Sequence, residues 1–381
     1  MRIGIDALGA ISCDTGGRNY LLNFIRTCVQ LEIEHEFYIY YSAPKEDLWG
    51  PLPSNYHKII IPYTNGSSIA KVIGEQFLVP LSILRHQLDA FFFPTNFASL
   101  LIFKPKVVAI RSALYYHFPH EIPAFQRVYR KILSRLTVLW ADRILVPSEA
   151  MRLDTIRFMG ADPSKVRVVP HGVDGSLFKR SITDNELKLR LDLLGVQQPY
   201  FLFVSALWPY KGAHRFLEAL NLLHKQFPVH GIIAGRGIAS KEHCRELTDL
   251  IQSRHLGHFV RLLGDLPQSQ LALLYWGATA LVFPSYYESF GNPLVEAMAA
   301  GTPVIASNRH AIPDTVGGAG LIVDPDDVPA IVEAMRRVLD DGKLRAEMIE
   351  RGRLRAQQFS WPRAVQAALA LIEEVAQRKS T

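Results

Sequence analysis

The chain has 381 residues, 49% of them apolar and 20% charged, which is too long for one ordinary domain and suits two α/β domains with substantial cores. No apolar stretch is long enough to span a bilayer, the start Met1-Arg2-Ile3-Gly4-Ile5-Asp6 lacks a secretory pattern, and Cys13, Cys28 and Cys244 are scattered without metal-ligand spacing, so a transmembrane protein, a disulfide scaffold and a thiolate metal site are not expected and a cytoplasmic protein is. The net charge of +6 is matched by one segment, Lys104 to Arg157, where ten Lys and Arg stand against four Asp and Glu.

In chain order, Arg2–Ile5 predicts a first strand, followed by a glycine loop at Gly16 and Gly17 and a helical pattern of Leu21, Phe24, Ile25 and Cys28. Strand-like runs recur at Glu36–Ser42, Lys58–Pro62, Ala90–Pro94, Lys106–Ile110, Arg143–Pro147 and Lys165–Pro170. Short strands separated by helical stretches imply a parallel, doubly wound sheet. Within the basic segment, Phe125–Trp140 interleaves Arg127, Arg130, Lys131 and Arg135 with apolar residues. Such a helix suits an anionic membrane or an acidic acceptor, and equally a domain helix with its solvated face outward. No nucleic-acid-binding motif accompanies the charge, so nucleic acid is not an expected partner.

After His171-Gly172-Val173-Asp174 the sequence is polar to about Pro199, which reads as a domain boundary. A second series starts at Tyr200–Ser205 and continues through His230–Ala234, Val260–Leu263, Ala280–Pro284, Pro303–Ala306 and Gly320–Val323. The expected division is residues 1–180, residues 181–355, and a C-terminal helical segment at 356–381 that crosses back to the first domain. Two doubly wound domains with a cleft between them would place ligands outside the carboxyl ends of the strands.

One segment concentrates chemistry: Tyr287-Glu288-Ser289-Phe290-Gly291-Asn292-Pro293-Leu294-Val295-Glu296. The apolar run Ala278–Pro284 predicts a buried strand, Pro293 suits a first helical turn, and Gly301 suits the position past the helix end,. Glu288 then lies in the loop after the strand, and Glu296 about one turn into the helix. Between them, the backbone at Gly291 and Asn292 and the positive end of the helix dipole make an anion site. A diphosphate flanked by hydroxyl-bearing rings would match it; a helix with an acidic first turn would share the same spacing.

Further segments sharpen this choice: Pro209-Tyr210-Lys211-Gly212, Leu263-Gly264-Asp265-Leu266, Leu274-Tyr275-Trp276-Gly277-Ala278, Phe283 to Gly291, Gly301-Thr302-Pro303-Val304-Ile305-Ala306-Ser307 and Gly320-Leu321-Ile322-Val323-Asp324-Pro325. Taken in order from Phe201 to Trp361, they resemble the retaining glycosyltransferases of family 4, whose GT-B fold pairs two Rossmann-like doubly wound domains across a cleft. Glu288 and Glu296 fall on that family's E-x7-E signature. More loosely, Gly16-Gly17, Ala141 to Glu149 and Val168 to Asp174 resemble segments of the family's first half.

The resemblance implies roles. Glu288 would contact hydroxyls of a donor sugar, Glu296 the ribose diol of its nucleotide, and Ser289, Phe290, Gly291, Asn292 and Leu294 the sugar and diphosphate. Lys211 would neutralise the departing diphosphate, whose charge grows in the transition state. Gly264, Asp265 and Leu266 would pack on the base, and Gly16 and Gly17 would let backbone approach a phosphate. Two positions depart from the family pattern. Ala206 stands where many relatives carry a phosphate-binding arginine, which makes Arg236 a candidate second cation. Arg111 stands where many carry a histidine that touches the donor sugar, and Arg111 could substitute as a catalytic donor to sugar or acceptor. His117 and His120, nearby, read as surface or structural histidines.

The expected activity is transfer of a hexose-type sugar (mannose, rhamnose, glucose or similar) from a nucleotide-diphosphate sugar to an acceptor hydroxyl, with retention and without a metal or other cofactor. The expected partners are the nucleotide sugar and a saccharide or lipid-linked saccharide acceptor, in cell-surface polysaccharide or lipopolysaccharide assembly, with 125–140 at the inner membrane face. A nucleotide-sugar epimerase of the same fold and a catalytically weakened binding protein are the alternatives.

Overall fold

A computed structural model describes residues 1–8, 16–42, 48–62, 73–235 and 241–378. The chain divides into two compact units. Unit 1 is Met1–Gly172 together with the final helix, and unit 2 is Val173–Ser360. The division precedes the expected 180/181 for a packing reason. Val173 pairs with Ser360, its amide donates to the Phe359 carbonyl at 3.1 Å, and Phe178 is buried in the unit 2 core.

Unit 1 holds seven strands: β1 (Arg2–Asp6), β2 (Glu36–Tyr41), β3 (Tyr56–Ile60), β4 (Ala90–Phe93), β5 (Lys106–Ala109), β6 (Arg143–Val146) and β7 (Val166–Val168). They form one parallel sheet in the order β3-β2-β1-β4-β5-β6-β7. The central strands β4 and β5 are buried along their whole length, as strands covered on both faces must be, whereas the edge strand β3 alternates,. Its helices include α1 (Gly16–Gln30), α2 (Ala124–Trp140) and α3 (Glu149–Met159). On α1 the predicted positions Leu21, Phe24, Ile25 and Cys28 are all buried, and burial pushes the Cys28 thiol up to about 12.

Unit 2 holds β8 (Tyr200–Val204), β9 (His230–Ala234), β10 (Val260–Gly264), β11 (Ala280–Phe283), β12 (Val304–Ser307) and β13 (Leu321–Val323) in the parallel order β10-β9-β8-β11-β12-β13. Chain order reverses between β8 and β11, which are hydrogen-bonded neighbours. This is a topological switch point, where the carboxyl ends of adjacent strands send their connections to opposite faces and leave a crevice. The helices that matter are α4 (Ala213–Leu223), α5 (Gln268–Gly277), α6 (Asn292–Ala300), α7 (Val328–Asp340) and α8 (Gly342–Ala356).

The C-terminal helical segment expected over 356–381 starts at Trp361 as α9 (Trp361–Arg378), separated from α8 because Phe359 and Ser360 turn the chain back to pair with Val173. Helix α9 packs on unit 1. Its Val365, Leu369 and Ile372 join the core of β1, β4 and α1, a burial that contributes about 1.5–3 kcal/mol per side chain. Arg143 clamps Glu374 through two hydrogen bonds of 3.2 and 2.6 Å, and His35 bonds Glu373 at 2.7 Å.

Candidate active site

The unit 2 residues singled out in the sequence converge on the switch point. After β8 the chain makes a short 3₁₀ turn, Pro209–Lys211, closed by Gly212 at φ +77°. A Cβ at Gly212 would lie 2.2 Å from the Pro284 carbonyl oxygen, so only glycine lets this turn close against the end of β11. The Tyr286 amide donates to the Tyr210 carbonyl at 2.8 Å and ties the two loops together, and within the second loop the buried Ser285 hydroxyl donates to the Tyr287 carbonyl at 3.1 Å.

This bracing delivers an ion pair. Lys211 Nζ donates to Glu288 Oε1 at 2.7 Å, with both side chains largely buried (14% and 12% exposed). Such a pair persists only where both ends are held. Glu288 is held through its backbone too. His310 Nδ1 donates to the Glu288 carbonyl at 2.6 Å, which places the ring proton on Nδ1, and the His310 ring packs on Tyr287 with centroids 4.3 Å apart.

Helix α6 starts beside this pair. Its cap residue Gly291 has φ +92°, Pro293 sits in the first turn, and Gly301 closes the end at φ +79°. Leu294 is fully buried and anchors the first turn in the core, and the Thr315 hydroxyl donates to the Phe290 carbonyl at 2.6 Å. The positive end of α6 therefore points into the crevice on a rigid support. Glu296, one turn on, accepts a 3.0 Å hydrogen bond from Tyr275 of α5. Burial raises its carboxyl to about 7, against the opposing effect of that bond, and Tyr275 is itself pushed well above the ordinary phenol range by burial.

Gly264 ends β10 at φ +67°, and its carbonyl accepts from the Gly235 amide at 2.7 Å. Asp265 is exposed, and Leu266 packs at the rim of the core. Arg236, the candidate second cation, lies outside the described residues. Ala206 follows β8 and offers no charged group.

Gly16, Gly17 and Arg111 lie on unit 1, where two of the three are in contact. Asn96 Oδ1 accepts the backbone amides of Arg111 (2.6 Å) and Ser112 (3.1 Å), fixing the turn after β5. From there the Arg111 guanidinium lies 4.1 Å over the Tyr20 ring, and Nη2 donates to the Gly16 carbonyl at 3.0 Å. Burial lowers this guanidinium to about 10, still cationic at neutral pH. Among the described residues its Nη1 has no hydrogen-bond partner. Arg111 thus ties the turn after β5 to the first turn of α1. His117 bonds Asp154 of α3 at 2.6 Å.

Sequence reasoning missed the groups that brace the site. His310 follows β12 by three residues, a place the strand-end rule flags. Tyr275 lies in the stretch Leu274–Ala278 that carries part of the resemblance, which gives it no role of its own. A network also holds the loops after β11, β12 and β13 to α4. Tyr286 donates to Asp326 (2.6 Å), Arg215 donates to Tyr286 (3.1 Å) and Asp326 (3.2 Å), and Arg309 donates to Asp324 (2.9 Å) and Asp326 (3.2 Å). No local signature marks these residues, which meet only through the fold.

Two Rossmann-type units, one with a lysine–glutamate pair and a buried carboxyl around a helix N-terminus, define the GT-B class of two-domain proteins. Solved structures bear out the fold over nearly the whole length. The chain is similar to sucrose-phosphate synthase from Thermosynechococcus elongatus (TM-score 0.80, 20% identity, 98% of this chain and 99% of that one). It is also similar to Anabaena HepE in complex with UDP and glucose (TM-score 0.77, 19% identity, all of both chains). WaaG, a glycosyltransferase involved in lipopolysaccharide biosynthesis, gives 0.76 at 16% identity, covering 98% and 99%. Two family models match: "Glycosyl transferases group 1" over residues 192–355 and "Glycosyltransferase Family 4" over residues 15–177. The chain belongs to the family 4 (group 1) glycosyltransferases.

Among curated proteins it is similar to the O-antigen chain mannosyltransferase B of Escherichia coli (36% identity over 43% of each chain) and to the D-inositol 3-phosphate glycosyltransferase of Kineococcus radiotolerans (31% identity, 66% of this chain and 61% of that one). The matched region spans about two fifths to three fifths of these relatives' length.

Proposed function

We propose that the protein transfers a hexose-type sugar from a nucleotide-diphosphate sugar to an acceptor hydroxyl with retention of configuration. The observation that carries this reading is the Lys211–Glu288 pair beside the N-terminus of α6, with Glu296 one turn along. The helix end and Lys211 supply positive charge where a diphosphate departs, so the reaction needs no metal on this account. Glu296 accepts the ribose diol, and Glu288 accepts sugar hydroxyls. With Oε1 engaged by Lys211, Glu288 is a poor nucleophile, which supports attack from the leaving-group face rather than a covalent glycosyl-enzyme. The backbone from Ser289 to Asn292, supported by Leu294, meets the sugar and diphosphate, and Gly264, Asp265 and Leu266 meet the base. In unit 1, Gly16, Gly17 and Arg111 keep the ligand-contact assignment that the resemblance implies.

The E. coli and WaaG likenesses carry names from O-antigen and lipopolysaccharide synthesis. We therefore assign a saccharide or lipid-linked saccharide acceptor in cell-surface polysaccharide assembly on the cytoplasmic side. The test is incubation of the purified protein with labelled nucleotide sugars, with and without lipid-diphosphate saccharide acceptors. Label moving to the acceptor with its anomeric configuration kept supports the reading. A free epimer formed from donor alone would identify an epimerase, and activity unchanged in Glu288→Ala would remove the assigned site.

A further inference from the structure

Unit 1 has a switch point of its own. Its strands run β3-β2-β1-β4-β5-β6-β7, so chain order reverses between β1 and β4, which are hydrogen-bonded neighbours. A crevice forms at the carboxyl ends of strands arranged in this way. Three residues from separate connections meet there: Gly16 opens the helix after β1, Asn96 lies in the turn after β4, and Arg111 follows β5. Asn96 fixes the Arg111 backbone, and the Arg111 side chain reaches Gly16 through Nη2.

The charge at this point is unbalanced. The guanidinium lies over Tyr20, and the Tyr20 ring is itself set against His171 and Trp361, with centroids 5.4 and 5.6 Å away. The cation therefore sits on a fixed platform. Tyr20 is the ionisable neighbour that acts on it, and burial pushes that phenol up to about 12, so it is neutral. Among the described residues no carboxylate pairs with Arg111, and both N–H donors of Nη1 lack an acceptor although that nitrogen is buried,. Elsewhere the chain follows the usual rule that an inward cation is paired: Arg143 holds Glu374, and Lys211 holds Glu288. Helix α1 adds charge of the same sign. It runs 15 residues from Gly16 with no acid in its first turn, so the leading amides and the positive end of the dipole face the crevice uncompensated. Among the described residues, a Cβ built on Gly16 would meet no atom within 4 Å, which leaves room beside the helix start.

We propose that this crevice of unit 1 binds an oxyanion, and that the oxyanion is a phosphate or carboxylate group carried by the sugar acceptor. A guanidinium edge beside helix-start amides matches the oxygens of either group. The donor's diphosphate has Lys211 and the start of α6 in unit 2, so the anion that Arg111 awaits is one the acceptor brings. That source rests on the transfer reaction proposed above, whereas the oxyanion site rests on unit 1 alone. Arg111 then sets specificity: a neutral acceptor leaves a buried donor unpaired, and a charged one satisfies it.

The first experiment is calorimetric titration of inorganic phosphate into the purified full chain, with and without a saturating nucleoside diphosphate. Phosphate should bind 1:1 in both cases. Arg111→Gln should weaken it about tenfold or more, Arg111→Lys should retain part of the affinity, and Lys211→Ala should leave it unchanged. Absence of saturable binding overturns the proposal, as does binding that Arg111→Gln leaves intact. Phosphate displaced by the nucleoside diphosphate overturns it too, because Arg111 would then serve the donor. The second experiment compares label transfer to a saccharide phosphate and to the same saccharide without phosphate. The wild-type KM should be about tenfold or more lower for the charged acceptor, and Arg111→Gln should erase that difference while the donor KM holds. Equal wild-type KM values overturn the acceptor as the source. Failure to transfer to any acceptor would instead remove the transfer reaction, and the phosphate titration decides the oxyanion site by itself.

Discussion

Lys211 and Glu288 meet at 2.7 Å, each delivered by the loop that leaves one of the two strands flanking the switch point. Their charges cancel until a ligand divides them: a diphosphate competes for the ammonium, and sugar hydroxyls compete for the carboxylate. Lys211→Ala and Glu288→Gln should each lower kcat by about 10²–10³. Because each variant strands the other partner, the double variant should lose less than the product of the two, a coupling that steady-state kinetics on all four proteins measures.

Glu296 makes the site pH-dependent. Its carboxyl titrates near 4.5 unfolded and near 7 folded, because burial favours the neutral form,. Between those values the native state binds more protons than the unfolded state, so this group's contribution to stability falls as pH rises and levels off above pH 7. Glu296→Gln should therefore raise the midpoint of thermal unfolding at pH 8, by at most about 3 kcal/mol in stability, and have little effect at pH 4.5. The carboxylate accepts both ribose hydroxyls in charge-assisted bonds, and the protonated acid keeps only part of that acceptor capacity, so nucleotide affinity should rise from pH 6 to pH 8 in wild type and stay flat in Glu296→Gln.

Gly212 and Gly264 both have positive φ, but only Gly212 lies against backbone. Gly212→Ala combines torsional strain with a clash on Pro284 and should cost about 2–4 kcal/mol. Gly264→Ala, with nothing within 4 Å of its added carbon, should cost about 1–2 kcal/mol. Denaturant unfolding of the two variants checks the ordering.

Arg111 ties the first turn of α1 to the turn after β5 through Gly16 and stacks on Tyr20. Arg111→Lys cannot reproduce the planar stack and the fork together. It should destabilise unit 1 by about 1–2 kcal/mol and raise KM more than it lowers kcat. An unchanged KM would leave Arg111 with a structural role alone.

Much of this was legible in the sequence because the carrying signals are local. The apolar run Ala278–Pro284, Pro293 in the first turn and Gly301 past the end locate β11 and α6 without tertiary information. The ion pair was not legible: Lys211 and Glu288 are remote in sequence, and each was assigned to ligand rather than to the other. His310, Tyr275 and the Arg215–Tyr286–Asp326–Arg309 network were missed because parallel strand ends gather residues from separate crossovers. The packed side of α2 was not legible, because interleaved charge and apolar residues fix a helix but not which side it buries. Ser134 and Thr137 go inward to satisfy Ala98 and the 131–134 turn.

The central claim is that the crevice at the N-terminus of α6 holds a nucleoside diphosphate. Calorimetric titration of a panel of nucleoside diphosphates into wild type, Lys211→Ala and Glu296→Ala at pH 8 tests it most directly. The account predicts that at least one diphosphate binds wild type with 1:1 stoichiometry and that both variants weaken it about tenfold or more. Binding that both variants leave unchanged, or no binding across the panel, would contradict it.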